Sequence, residues 1–190
     1  MKTTSIMIVG VGGQGTLLAS KLLGKLLLGE GYDVKVSEVH GMSQRGGSVV
    51  TYVRYGDKVY SPVITDGEAD FIVSFEKLEA ARYISCLKKD GKIIANNQET
   101  DPMPVIIGKA EYPSGVLDEI KALGVYVDEL DALSLAEKAG SAKAVNIVLM
   151  GRLAKYLGIE KEKWLKAIEV TVPEKFKELN LKAFELGYNY

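Results

Sequence analysis

A chain of 190 residues with 47% hydrophobic content can bury one ordinary α/β core and is short for two, so a single domain over residues 1–190 is expected. Twenty-four Lys and Arg nearly offset 25 Asp and Glu, which leaves no net field to gather nucleic acid or an anionic membrane. One cysteine, Cys86, excludes an internal disulfide, and no apolar stretch approaches the ~20 residues of a bilayer span. With no basic, cleavable leader at the amino terminus, a cytoplasmic protein is the expectation.

Residues 6–9 form a continuous apolar run, as in a central strand buried on both faces. Leu17, Leu18, Leu22, Leu23, Leu26 and Leu27 then recur at helical spacing and leave Lys21 and Lys25 to solvent, which predicts an amphipathic helix ending near Gly29 or Gly31. A second strand over 33–39 completes a Rossmann-like strand, helix, strand start with a right-handed crossover. Residues 48–55 are β-branched and aromatic, and Gly56-Asp57 joins them to 58–61, so a mid-chain β-hairpin ended by Pro62 and a mixed sheet are predicted. Alternation resumes with a strand at 71–74, a helix at 78–87 and a strand at 92–95 after an Asp90-Gly91 stop. Val105 to Ile107 is a candidate strand, followed by a short helix to Leu123, a strand at 125–127 and a helix at 133–139. Three helices, at 145–157, 161–168 and 173–186, fill the carboxyl-terminal third, with Gly158 and Gly187 suited to carboxyl caps. The sum is a three-layer α/β/α fold.

Gly10, Gly12 and Gly15 match the G-x-G-x-x-G pattern, in which absent side chains let phosphate oxygens meet amides at a helix amino terminus. Glu38 closes the second strand, where a dinucleotide enzyme uses an acid on the ribose. Gly13, Gln14 and Thr16 extend the first loop, and a second loop, His40-Gly41-Met42-Ser43-Gln44-Arg45-Gly46-Gly47, is more than dinucleotide binding requires. The glycines alone admit three uses: a dinucleotide, another phosphate-bearing ligand, or a structural or interface turn. In the second loop, Ser43, Gln44 and Arg45 suit carboxylate or phosphate recognition, and Met42 and Arg45 equally suit a protein interface.

His40, the single histidine, could carry a proton near neutral pH, but no cysteine or carboxylate cluster stands at metal-ligand spacing beside it. Cys86 falls in the 78–87 helix and reads as a small packed side chain. Asp66-Gly67 with Asn96-Asn97 loosely matches a G-D-G…N-N arrangement for magnesium and thiamine diphosphate. Thr65 replaces its first glycine, and paired asparagines are common turn chemistry. One cysteine also cannot supply the four thiolates of an iron-sulfur cluster.

The run Gly10-Val11-Gly12-Gly13-Gln14-Gly15, with Glu38-Val39-His40-Gly41-Met42-Ser43-Gln44-Arg45-Gly46-Gly47-Ser48-Val49-Val50, resembles the gamma-type subunits of 2-oxoacid:ferredoxin oxidoreductases, most of all the indolepyruvate type. The resemblance continues through Tyr60-Ser61-Pro62, Glu68-Ala69-Asp70, Phe75-Glu76, Val172-Pro173-Glu174-Lys175, Asn180 and Ala183-Phe184. It implies a non-catalytic subunit beside a catalytic alpha-type partner that carries thiamine diphosphate, magnesium and iron-sulfur clusters. It further implies an arylpyruvate substrate, the products acyl-CoA, carbon dioxide and reduced ferredoxin, and no tightly held cofactor here. The motif assigns no catalytic residue to this chain. Gly10, Gly12, Gly13, Gln14, Gly15 and Thr16 are the expected cofactor-contacting set, with coenzyme A the candidate ligand, and Glu38, His40, Gly41 and Met42 to Gly47 the expected substrate- or partner-facing loop. Two other readings stay open: a free-standing Rossmann oxidoreductase using Glu38, and a homo-oligomeric small-ligand-binding protein.

Overall fold

A computed structural model describes residues 3–41 and 46–190. Strand β1 (Thr4–Val11) is buried along nearly its whole length and lies inside a six-stranded sheet. Its partners are β3 (Ser48–Gly56), antiparallel, and β4 (Ala69–Ser74), parallel. Beyond β4 come β5 (Leu87–Asn96) and β6 (Tyr126–Leu130), both parallel, while β2 (Asp33–His40) edges the other side against β3. The order β2-β3-β1-β4-β5-β6 gives the expected mixed sheet.

Alternation along β1 divides the core in two. Ile6 and Ile8 point toward α1 (Thr16–Gly29), α5 (Ala132–Ala139), α6 (Val145–Leu157), α7 (Lys161–Glu169) and α8 (Lys177–Tyr188); Met7 and Val9 point toward α2 (Lys77–Arg82) and α4 (Val116–Ala122). Burial on both faces explains why the run at 6–9 does not alternate in polarity. Three layers result, as expected.

The strand-helix-strand start differs from the Rossmann expectation in one respect: β2 does not pair with β1, because β3 lies between them. The hairpin also moves. Both edges of β3 are taken, by β1 and β2, so residues 58–61 find no edge and are not a strand; the antiparallel pair is β2 with β3, joined through residues 41–47. Val59 instead donates its amide to Asp33, at 2.9 Å.

Four other expectations shift. The helix predicted at 78–87 stops at Arg82, a 3-10 turn at Ile84–Cys86 follows, and β5 begins at Leu87, so Cys86 sits in that turn, half-buried. Asp90-Gly91 falls within β5 at a register shift opposite Ala69 and Phe71, and a Cβ on Gly91 would lie 3.0 Å from the Ala69 carbonyl. This glycine serves a bulge, not a helix stop. Residues 105–107 are not a strand: α3 (Met103–Ile106) is a four-residue helix whose first turn accommodates Pro104. Gly187 lies inside α8 rather than capping it, and a Cβ there would stand 2.0 Å from the Val148 carbonyl, while one on Gly151 would stand 2.2 Å from that of Phe184. Helices α6 and α8 therefore cross backbone to backbone. Gly158, at φ 66°, caps α6 as expected.

Helix α1 buries Ala19, Leu22, Leu23, Leu26 and Leu27, but Leu17 is 48% exposed and faces a cleft at the carboxyl end of the sheet. Among the described residues no helix is long and apolar enough to cross a membrane.

Candidate functional site

Both glycine loops leave the sheet at the carboxyl ends of β1 and β2, and β3, lying between those strands, brings them together. The Gly12 amide donates to the Gly47 carbonyl at 2.8 Å, and the Gly46 amide returns to the Gly12 carbonyl at 3.5 Å. Of the second loop's expected residues, His40, Gly41, Gly46 and Gly47 are placed on this rim; Met42, Ser43, Gln44 and Arg45 lie outside the described residues.

In the first loop the polar side chain turns inward. Gln14 Oε1 accepts from the Val11 amide at 2.7 Å, and its Nε2 reaches toward the Phe75 carbonyl at 3.5 Å. Gly10 is still in β1, and a Cβ there would meet Gln14 Oε1 at 2.7 Å and Phe75 Cβ at 2.9 Å. Gly15, at φ 87°, is the N-cap of α1, and no side chain caps that helix. A Cβ on Gly15 would fall 2.8 Å from Asn146 Nδ2, which donates to the Gly15 carbonyl at 3.2 Å. Gly13, at φ 101°, faces open space. Thr16 opens α1 and is buried.

Two clefts flank this loop. One of 410 Å³ lies between Gly13, Thr16 and Leu17 on one side and Glu38, His40 and Val49 on the other. Glu38 accepts from Thr51 Oγ1 at 3.2 Å, and His40 Nδ1 stands 3.1 Å from the Gly41 carbonyl. A second cleft of 480 Å³ runs from Gly13, Gln14 and Gly15 to Gln98, Leu133 and Lys143. A carboxylate thus marks the first cleft and an ammonium the second, so the first suits hydrogen-bond donors such as hydroxyls, and the second an anionic group.

Several residues that shape this rim gave no functional signal in the sequence. Glu79, 4% exposed, accepts from Ser48 Oγ, directly after the second loop, and from Arg82 Nε at 3.1 Å. Glu76, 1% exposed, caps α2 through the Glu79 amide at 2.9 Å, accepts from the Thr100 amide at 3.2 Å, and holds the Tyr112 hydroxyl. Burial, then the Glu76 carboxylate, push the Tyr112 hydroxyl well above its ordinary pKa. Asn146 interrupts the apolar run that opens α6, the one visible hint of its role.

The Asp66 and Asn96 pair separates. Asp66 precedes β4 and accepts from Ser85 Oγ, whereas Asn96 closes β5, fully buried, with Nδ2 on the Phe75 carbonyl and Oδ1 on the Ala132 amide. These residues occupy opposite ends of parallel strands and do not fit a magnesium and thiamine diphosphate site. Among the described residues no three His, Cys, Asp or Glu are grouped to hold a metal ion. Burial raises the Cys86 thiol above its ordinary pKa, which suppresses thiolate chemistry.

Residues 5–190 match the family described as pyruvate ferredoxin/flavodoxin oxidoreductase. The indolepyruvate oxidoreductase subunit IorB of Thermococcus kodakarensis is 45% identical, over 98% of this chain and 95% of that one. Among solved structures, the gamma subunit of a keto/oxoacid ferredoxin oxidoreductase from Geobacter sulfurreducens superposes with a TM-score of 0.73 at 24% identity, covering 98% of this chain and 96% of that one. The 2-oxoglutarate:ferredoxin oxidoreductase of Magnetococcus marinus, solved with 2-oxoglutarate, coenzyme A and succinyl-CoA bound, superposes at 0.76 with 19% identity, over all of this chain and 31% of that one. The two structural likenesses speak to the fold.

Proposed function

The chain belongs to the pyruvate ferredoxin/flavodoxin oxidoreductase family, and from that premise we propose that it is the non-catalytic subunit of an indolepyruvate-type 2-oxoacid:ferredoxin oxidoreductase. The observation that carries the proposal is the 45% identity to an indolepyruvate oxidoreductase subunit over nearly the full length of both chains. The reaction converts an arylpyruvate and coenzyme A to acyl-CoA and carbon dioxide and passes the electrons to ferredoxin. A catalytic alpha-type partner in the cytoplasm supplies thiamine diphosphate, magnesium and iron-sulfur clusters. The donor set here supports that division, since one cysteine cannot ligate a cluster and Asp66 and Asn96 stand apart.

This chain's own contribution, as one domain, is the rim where the two glycine loops meet, turned toward the partner's active site. Lys143 offers a cation to a phosphate of coenzyme A, with Gly13, Gly15 and Thr16 lining the adjoining cleft, and Glu38 accepts from hydroxyl or amide donors. Met42 to Arg45 belong to the same proposed contact. A free-standing dinucleotide enzyme fits less well, because Glu38 stands on a strand separated from β1 by β3.

Co-expression with the partner chain tests the reading. Both chains co-purify, arylpyruvate-dependent ferredoxin reduction requires both, and Lys143→Ala in the assembled enzyme raises the KM for coenzyme A about tenfold, the size of one lost charge-assisted contact. Saturable micromolar binding of NAD or NADP by the isolated chain, or thiamine-dependent decarboxylation by it, overturns the proposal.

A further inference from the structure

The three glycines of the fingerprint each have a use internal to the fold. Gly10 carries no side chain because Gln14 Oε1 fills the space at 2.7 Å from where a Cβ would stand. Gly12 spends its amide on Gly47, at 2.8 Å. Gly15 leaves room for Asn146, whose amide nitrogen would be 2.8 Å from a Cβ. In the dinucleotide reading the first two glycines exist for the turn and for the pyrophosphate. Here the space beside Gly10 is occupied by a side chain of the same loop.

That side chain is Gln14, and its contacts run inward. Its oxygen takes the Val11 amide, the last of β1, and its nitrogen shares the Phe75 carbonyl with Asn96, which donates to the same oxygen at 3.2 Å. Asn96 in turn accepts from the Ala132 amide at 3.0 Å, tying the end of β5 to the start of α5. On the other side of the loop, Asn146 holds the Gly15 carbonyl from α6. The loop between β1 and α1 is thereby held by two amide side chains, its own Gln14 and Asn146 of α6, while Asn96 shares the Phe75 carbonyl toward which Gln14 reaches. An amide can donate and accept without carrying charge, so it can bridge a carbonyl and an N–H in a partly buried site without the desolvation penalty of an ion.

We infer that Gln14 is a positioning residue: although it lines the second cleft, its amide group is turned to the end of β1, so it clamps the loop and makes no polar contact with the ligand. The inference rests on the reading of this rim as a contact for coenzyme A. Gln14 acts through Gly13, Gly15 and Thr16, whose backbone it sets in place.

Two substitutions separate a clamp from a contact. In Gln14→Glu an oxygen still accepts from the Val11 amide, only the long 3.5 Å contact to the Phe75 carbonyl is given up, and a carboxylate just before the amino terminus of α1 sits favourably in the helix dipole. Gln14→Met keeps the length and removes the acceptor. Hydrogen exchange of the Val11 amide in the isolated folded chain is the first readout. The inference expects protection in the wild type and in Gln14→Glu, and exchange at least tenfold faster in Gln14→Met. In the assembled oxidoreductase, the KM for coenzyme A stays within about threefold for Gln14→Glu and rises about tenfold or more for Gln14→Met, with kcat little changed in both. A side chain that met the phosphates directly would give the reverse order, because a carboxylate would repel them, and that order overturns the inference. Equal Val11 exchange in all three proteins overturns it too. If exchange follows the expected order while the KM for coenzyme A is the same in all three, the clamp stands and the coenzyme A reading of the rim fails.

Discussion

Around the loop between β1 and α1 the contacts are made by backbone and neutral amides: Gly12 on Gly47, Gln14 on Val11, Asn146 on Gly15. Toward the amino ends of β5 and β6 they are made by large and charged side chains. Asp128, 7% exposed, accepts from Arg152 Nε at 2.6 Å and from the Tyr156 hydroxyl. Lys92 lies 4.4 Å from the ring centre of Tyr126 and 5.9 Å from that of Tyr156. Helix α6 spans both regions, with Asn146 at its rim end and Arg152 and Tyr156 further along. Charged side chains hold this helix on the sheet at one end, and at its other end the neutral amide of Asn146 holds the Gly15 carbonyl. A loop built from backbone and uncharged amides can face an anionic ligand without a competing side-chain charge of its own.

The comparison makes graded predictions. The largest effect is expected at the crossing of α6 and α8, where Gly187→Val forces a side chain into the Val148 carbonyl and costs more than about 3 kcal/mol, read by chemical denaturation. Next, Asp128→Ala leaves Arg152, itself mostly buried, without its carboxylate and costs about 3 kcal/mol; a loss as small as that of a surface pair would mean that the lock is not there.

Alkaline pH should loosen the same region. Burial and the Asp128 carboxylate raise the Tyr156 hydroxyl above its ordinary value of 10, and Tyr112 is raised in the same sense. A raised folded-state value means that the native protein holds these protons longer than the unfolded chain does. The stability they contribute is complete below pH 10 and is lost as the pH climbs above it. Denaturation midpoints should fall on going from about pH 8 to about pH 11, and Tyr156→Phe should flatten that fall. Lys143→Ala, on the rim, should change stability by less than about 0.5 kcal/mol, since this exposed side chain supports no packing, whatever it does to catalysis.

Much of this fold was legible in the sequence because burial and periodicity are local. The apolar run at 6–9, the leucine spacing after Gly15 and the cap at Gly158 each name their element correctly. Pairing is not local. Nothing in residues 48–56 says that they will lie between β1 and β2, and so local pattern pairs them with the adjacent residues 58–61. Gly91 and Gly187 read as punctuation because a sequence cannot distinguish a glycine that ends an element from one that lets another backbone approach. At the site, the two loops are legible in the sequence, whereas Asn146, Glu79 and Lys143 are not, because each reaches the rim from a distant element. Gln14 was visible, but its direction was not: whether an amide faces a ligand or its own strand depends on Phe75, sixty-one residues away.

The hydrogen bond from Gly12 to Gly47 has a consequence for assembly. It spans two loops that meet only after β3 has been inserted between β1 and β2, a pairing that joins residues as far apart as Thr4 and Tyr55. A nascent or partly folded chain has both glycine sequences but not the surface they make together. A protein docking on this rim, as proposed, would therefore meet only the finished sheet, so that recognition of the subunit would double as a check on its folding.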